Sequence, residues 1–237
     1  MNQEFQRLTL LYGPEAVVRL RNSRAIIFGV GGVGSWCAEA LARCAIGTIT
    51  IVDSDCVDPT NINRQLVALN STVGIPKVTV MAERIADINP DCKVSAINGR
   101  YTSERADEFH LEDYDVIIDA IDSLADKADL IARATSMERP RIFSSMGAAL
   151  KTDPSKIETA EFWQVKGCPL ARALRQRFKR TGIFPRRKFR CVFSPEIHPN
   201  AVKDTEGEHL PNGTVVFATA DFGLRLASLA VNYLLTR

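Results

Sequence analysis

Residues 29–77 read GVGGVGSWCAEALARCAIGTITIVDSDCVDPTNINRQLVALNSTVGIPK, and this stretch decides the fold. Just before and into it, RAIIFGV (24–30) is an apolar run of strand type. SWCAEALARCA (35–45) then puts Trp36, Ala40, Leu41 and Cys44 on one helical face. Between them Gly29, Gly31, Gly32 and Gly34 spell G-x-G-x-x-G at a strand-to-helix turn, the context a dinucleotide fingerprint requires. Glycine lets the backbone approach phosphate oxygens, and a helix start presents N–H groups and partial positive charge. Asp53 closes the next apolar run, TITIVD, 19 residues after Gly34. A carboxylate there accepts hydrogen bonds from ribose hydroxyls. The stretch therefore predicts a ligand with a ribose and phosphates.

The residues that follow separate a redox dinucleotide from ATP. Asp53 and Asp55 end the second strand, and Asn61, Arg64, Gln65 and Lys77 come next. A guanidinium, a carboxamide and an ammonium beside the glycine turn can hold a triphosphate and neutralise charge as it breaks. The fourth strand, VIIDAID, is expected to deliver Asp119 and Asp122 to the same sheet edge, where an aspartate can hold Mg²⁺ against phosphate. Singly, each residue has an ordinary alternative: solvated surface for Arg64 and Lys77, a helix cap for Asp122.

Further strands are expected at KVSAIN (93–98), DVIIDAI (115–121) and RIFSS (141–145). Helices are expected over 14–21, 76–89, 103–110 and 123–136, the third of them short and capped by His110. A long polar loop spans 55–73, as a functional loop would. Four strand-to-helix alternations argue for an α/β, Rossmann-like doubly wound fold with a mainly parallel sheet. After Ser145 the pattern changes. KIETAEFW (156–163) looks like an antiparallel edge strand, and Met146 and Gly147 follow a strand carboxyl end, where open α/β sheets bind ligands. Residues 1–165 are expected to form the nucleotide core, with an N-terminal arm at 1–22. Residues 166–237 would complete the same domain with a basic segment and C-terminal strands and helix.

The 237 residues carry a net charge of +2, and 46% are hydrophobic. The six cysteines contain no C-x-x-C pair, which fits a reducing cytoplasm better than a disulfide framework. The N-terminus is polar, and the apolar stretch at 222–235 is interrupted by Arg225 and too short to span a bilayer. His198 and His209 are expected at the surface, the latter beside an acidic loop at 204–208.

Charge is not spread evenly. KGCPLARALRQRFKRTGIFPRRKFR (166–190) holds ten cations and no acid, so everything outside it sums to −8. Segregation of this kind is the footprint of a polyanion-binding surface. The candidate RNA-binding residues are Arg172, Arg175, Arg177, Lys179, Arg180, Arg186, Arg187 and Lys188, with Phe178, Phe184 and Phe189 interleaved. A solvated basic helix and an acidic membrane surface are the alternatives.

GxGGxG, DxD, N-x-x-RQ, Lys77 and D-A-I-D-S together resemble the adenylation core of the ubiquitin-activating-enzyme-like superfamily, whose bacterial members include ThiF, MoeB and HesA. The resemblance implies ATP–Mg²⁺ chemistry that turns a carboxylate into an acyl-adenylate. It implies Asp53 on the ribose, Asn61, Arg64 and Lys77 on the phosphates, and Asp122 on the metal. The N-terminal RLTLLYG also matches, which implies that Arg7 reaches into a neighbouring subunit's site and that the chain is a homodimer.

Zinc-holding C-x-x-C pairs, common in the sulfur-carrier activators, are missing here. VGGVGSWCAEALAR, MAERIADINP, DAIDS, PLARALRQRFK and CVFSPE are instead similar to the tRNA threonylcarbamoyladenosine dehydratase family. That resemblance implies a tRNA partner, a cytoplasmic setting and, as a possible partner, a cysteine desulfurase or sulfur-acceptor system. The implied reaction adenylates the threonine carboxylate and closes a ring with loss of water. One feature departs from the family pattern: no cysteine lies in the loop before the last helix (206–213). Cys191 is expected to be structural and Cys168 to sit among cations that favour its thiolate; no covalent cysteine step is expected. Activation of a ubiquitin-like or sulfur-carrier tail, and a nucleotide-binding module without chemistry, remain the rival classes.

Overall fold

The RAIIF run forms β1 (Arg24–Phe28), and Ala25, Ile26, Ile27 and Phe28 are buried on both sides. A strand apolar on both faces belongs in the middle of a covered parallel sheet. The structure, a computed structural model describing residues 3–202 and 210–237, places it there. The other strands are β2 (Thr48–Asp53), β3 (Lys93–Asn98), β4 (Val116–Asp119), β5 (Arg141–Ser145), β6 (Glu158–Glu161) and β7 (Arg190–Phe193). They form one sheet in the order β3-β2-β1-β4-β5-β7-β6, parallel throughout except for β6 against β7. The doubly wound, mainly parallel sheet with an antiparallel extension is thus present, and β6 is the edge strand that KIETAEFW suggested.

The helices are α1 (Gln6–Tyr12), α2 (Pro14–Arg21), α3 (Gly34–Arg43), α4 (Lys77–Ile88), α5 (Leu124–Ser136), α6 (Pro169–Thr181) and α7 (Val216–Leu235). Strand alternation sorts them into two layers. Ala25 and Ile27 face a core built with α3, α4 and α7, while Ile26 and Phe28 face one built with α5 and α6. The expected helix at 103–110 is instead a 3-10 turn, Ala106–Phe109, ended by His110 in the left-handed region at φ 44°. It serves to seat Phe109 and Tyr101 edge-on against Phe28. Arginines tie α3 to α4 within their layer: Glu39 on α3 accepts hydrogen bonds from Arg43 at 2.7 Å and from Arg84 on α4 at 2.7 Å.

The last helix starts earlier than the apolar stretch at 222–235. Gly223 is the reason α7 can lie so close to α3: a Cβ there would stand 2.8 Å from the Trp36 Cβ and collide with the Val33 carbonyl. β7 is the one strand that residues 166–237 contribute among the described residues, and it pairs with both β5 and β6. No described helix is long and apolar enough to cross a membrane. His198 is exposed, whereas His209 and the acidic loop at 204–208 lie outside the described residues.

Candidate active site

β1 pairs with β2 on one side and β4 on the other, so the chain leaves the middle of the sheet in opposite directions. Such a switch point opens a crevice at the strand carboxyl ends. Here it is a cleft of about 680 Å³, lined by the glycine turn, the ends of β2 and β4, and the loop after β5. The turn is tightly constrained. Gly29 has φ 91°, and a Cβ on it would stand 2.6 Å from the Ala120 carbonyl; a Cβ on Gly34 would collide with the Gly29 carbonyl. Gly31 and Gly32 also line the cleft, and the turn runs into the N-terminus of α3, where anions are favoured.

Asp53, at the end of β2, accepts the Val30 N–H at 2.6 Å and the Asp55 N–H at 2.9 Å. One carboxylate thereby fixes the glycine turn and still has lone pairs for a ribose. Lys77 is buried, and its ammonium sits 2.8 Å from the Asp55 carboxylate. The Lys77 N–H also donates to the Asp55 carbonyl. Asp55 therefore aims the lysine as well as lining the cleft. Asn61 is buried and makes a reciprocal cap with Asp58, which folds the long loop back towards the sheet. Arg64 lies on that fold: its guanidinium donates to the Thr60 carbonyl at 2.8 Å and to Asn63 at 2.9 Å, and its own carbonyl accepts from the Trp36 indole. Gln65 is buried beside Gly31, and its side-chain oxygen has no partner. An orphaned buried acceptor facing a cleft calls for a donor from outside.

The carboxylates of VIIDAID part company. Asp119 is wholly buried and does not reach the cleft, which corrects the expectation that it stands with Asp122. It pairs with Lys127 of α5 at 2.8 Å, both without exposure, and accepts from Ser144 at 2.6 Å. Strand alternation explains this, since Asp119 shares the α5 face with Ile117. Asp122, three residues on, is exposed and lines the cleft. It has no hydrogen-bond or ion-pair partner among the described residues, and the N-cap position of α5 belongs to Ser123. Met146 and Gly147 also line the cleft.

Arg100, Thr214 and Thr219 are among the lining residues that escaped the sequence reading. Arg100 follows β3, where the strand-end rule could have found it; it pairs with Asp126 at 3.2 Å. Thr214 and Thr219, from just before and within α7, close over the turn, with the Thr219 Cβ 3.3 Å from where a Gly32 Cβ would be. No local signal marks them. Arg7 is exposed on α1 and does not line the cleft of its own chain.

The basic segment divides likewise. Arg187 donates to the carbonyls of Ala134, Thr135, Glu138 and Pro140, closing the C-terminal end of α5. Arg175 donates to the Val165 carbonyl at 3.1 Å and lies over the Phe162 ring. Arg172, Lys179, Arg180, Arg186 and Lys188 are exposed, and Arg177 is half-buried. Cys168 is buried at the N-cap of α6 instead of on the cationic surface. Cys191 is buried in β7, and burial pushes its thiol well above the ordinary range.

The switch-point cleft, glycine turn and acidic strand end define a Rossmann-like nucleotide-binding domain. The model of the ThiF family matches residues 5–237, and the chain belongs to that family. It is 44% identical over 196 residues to the tRNA threonylcarbamoyladenosine dehydratase of Bacillus subtilis, covering 83% of this chain and 76% of that protein. It is 37% identical to the Escherichia coli protein of the same name, covering 99% of this chain and 94% of the relative. The crystal structure of that E. coli enzyme in complex with ATP superposes with a TM-score of 0.89 at 35% identity, covering 99% of this chain and 94% of that one. The same enzyme has also been crystallised with AMP.

Proposed function

We propose that this chain is an ATP-dependent tRNA-modifying enzyme that dehydrates threonylcarbamoyladenosine in tRNA by ring closure. One observation carries the reading: relatives bearing that activity's name match at 36–44% identity over most of the chain, and one of them is known with ATP and with AMP. An enzyme that meets both nucleotides suits chemistry in which a carboxylate displaces pyrophosphate and AMP leaves later.

The cleft offers groups for each part of that reaction. Asp53 would accept the ribose hydroxyls, and the glycine turn with the α3 N-terminus would take the phosphates. Arg64 and Lys77 would neutralise charge as a threonine carboxylate oxygen attacks the α-phosphorus and the bond to pyrophosphate breaks. A neighbouring urea atom then attacks the activated carbonyl, the carbon–oxygen bond to AMP breaks and the ring closes. Catalysis of this kind is mainly positioning plus charge stabilisation.

Asp122 would hold Mg²⁺, a hard ion that takes carboxylate and phosphate oxygens and supplies neutralisation of phosphate charge when bound. The fit is with a nucleotide-completed shell, because no group of three or more His, Cys, Asp or Glu able to hold a metal occurs among the described residues. Arg7 belongs to the reading as a residue acting in the partner subunit of a homodimer. Leu10, Leu11 and Val18 beside it are 80%, 73% and 57% exposed, apolar surface that a second copy would cover. The burial of Cys168 and Cys191 supports a route without a covalent cysteine. Pyrophosphate exchange into ATP tests the carboxylate: the modified tRNA is expected to drive it. Exchange driven by a Gly-Gly protein tail, with none from tRNA, would move the assignment to a carrier-protein adenylyltransferase.

A further inference from the structure

One surface feature has no part in the cleft. Trp163, Ile183 and Phe184 are 43%, 61% and 46% exposed, although large apolar side chains gathered at a surface mark a binding site. The Trp163 and Phe184 rings lie 6.5 Å apart with planes inclined by 33°. Trp163 is fixed from behind: Glu161 accepts its backbone N–H at 3.0 Å, and its ring meets Phe162 edge-on at 5.0 Å. Phe162 is itself buried and stacked on Phe189. In sequence the pair is flanked by exposed Lys166, Lys179, Arg180, Arg186 and Lys188.

We propose that Trp163 and Phe184 form a stacking platform for an unpaired base of the RNA substrate, with the flanking cations on its phosphates. The proposal rests on the tRNA reading above. Aromatic faces beside a basic track bind single-stranded nucleic acid because every base has a π-face. A membrane would use cations and apolar groups differently, through a helix whose apolar face lies in the bilayer; the apolar face of α6, with Ala171, Leu174 and Phe178, is instead packed on the core. Leu170 at the start of α6 lines the cleft, and Phe178 touches Phe162. At about 1.5 Å rise per residue, Leu170 and Phe178 are separated by roughly 12 Å along α6, and neither Trp163 nor Phe184 lines the cleft. The platform therefore receives a nucleotide other than the reacting one, and does not contact the reacting atoms.

The test titrates the full-length protein with an RNA hairpin that has an unpaired loop and with a fully paired duplex of equal length. Trp163→Ala and Phe184→Ala are each expected to weaken hairpin binding by about 5- to 150-fold, the equivalent of ~1–3 kcal/mol per stacked base. Duplex binding and ATP affinity stay unchanged, and so does the salt dependence, because no charge is removed. Lys188→Ala should instead reduce the salt slope by about one. Trp163→Phe, which keeps a ring, is expected to bind the hairpin nearly as the wild type does, and the hairpin should quench wild-type tryptophan emission more than it quenches that of Trp163→Phe. Hairpin affinity unchanged in both alanine variants would overturn the platform. So would tighter binding of the wild type to phosphatidylserine vesicles than to the hairpin. If wild-type protein fails to convert modified tRNA while the hairpin effect is present, the platform stands and the assigned reaction falls.

Discussion

Lys127→Met is the most informative single substitution in the core. It keeps the length of the side chain and removes the ammonium that sits 2.8 Å from Asp119 at a site with no exposure on either partner. Asp119 would retain the Ser144 hydroxyl at 2.6 Å and the Ile121 N–H at 3.2 Å, but its charge would be buried without a counter-ion. Breaking a buried pair from one side costs about 3–5 kcal/mol. At ~2–4 °C per kcal/mol for a chain of this size, Tm should fall by roughly 6–20 °C. Urea unfolding followed by circular dichroism should show a lower midpoint at unchanged slope. Adding Asp119→Asn removes the stranded charge, so the double variant is expected to be more stable than Lys127→Met alone. Because Asp119 keeps the Ile121 N–H, which holds the corner that carries Asp122, ATP affinity of the folded protein should change little in either variant. A loss below about 0.5 kcal/mol, the range of ordinary surface substitutions, would count against a buried ion pair here, as would simple additivity of the two changes.

Other expectations follow from the same geometry. Gly34→Ala drives a methyl into the Gly29 carbonyl and should abolish ATP binding measured by calorimetry; wild-type affinity would mean the turn does not hold phosphate. Mixing Arg7→Ala with Asp122→Ala protein should restore up to about a quarter of wild-type activity, because random C₂ pairing gives half heterodimers with one intact site each. No recovery after subunit exchange would place Arg7 outside the partner's site. Burial pushes the Glu39 carboxyl up, but hydrogen bonds from Arg84 and Arg43 outweigh it and hold the group below its ordinary value of 4.5. The folded value lies below the unfolded one, so this stabilisation is complete above about pH 4.5 and is lost as pH falls through the lowered value. Glu39→Gln should therefore flatten part of the acid limb of a stability–pH profile, and an unchanged limb would count against it.

The glycine-turn side of the cleft was legible because its signals are local. Gly29 to Asp53 is one strand, one turn, one helix and one strand, and each declares itself by period or by glycine. Asp55, Asn61, Arg64, Gln65 and Lys77 all line the cleft. What they do to one another was hidden: that Asp55 aims Lys77, or that Asp53 holds the turn through Val30. Asp119 could have been placed by counting, since a period of two puts it with Ile117 under α5. Charge runs carry no such count. Arg175 and Arg187 are indistinguishable in sequence from their exposed neighbours, because the carbonyls that hold them come from other elements. Thr219 enters the cleft only because Gly223 brings α7 against α3, a contact spanning most of the chain.

The central claim is that this cleft activates a carboxylate carried by tRNA. It is tested most directly by incubating the protein with ATP, Mg²⁺ and tRNA bearing threonylcarbamoyladenosine, then weighing the digested nucleosides. The account predicts a modified nucleoside lighter by one water, dependent on ATP and lost in Asp122→Ala. A nucleoside of unchanged mass, from protein that still binds ATP, would contradict it.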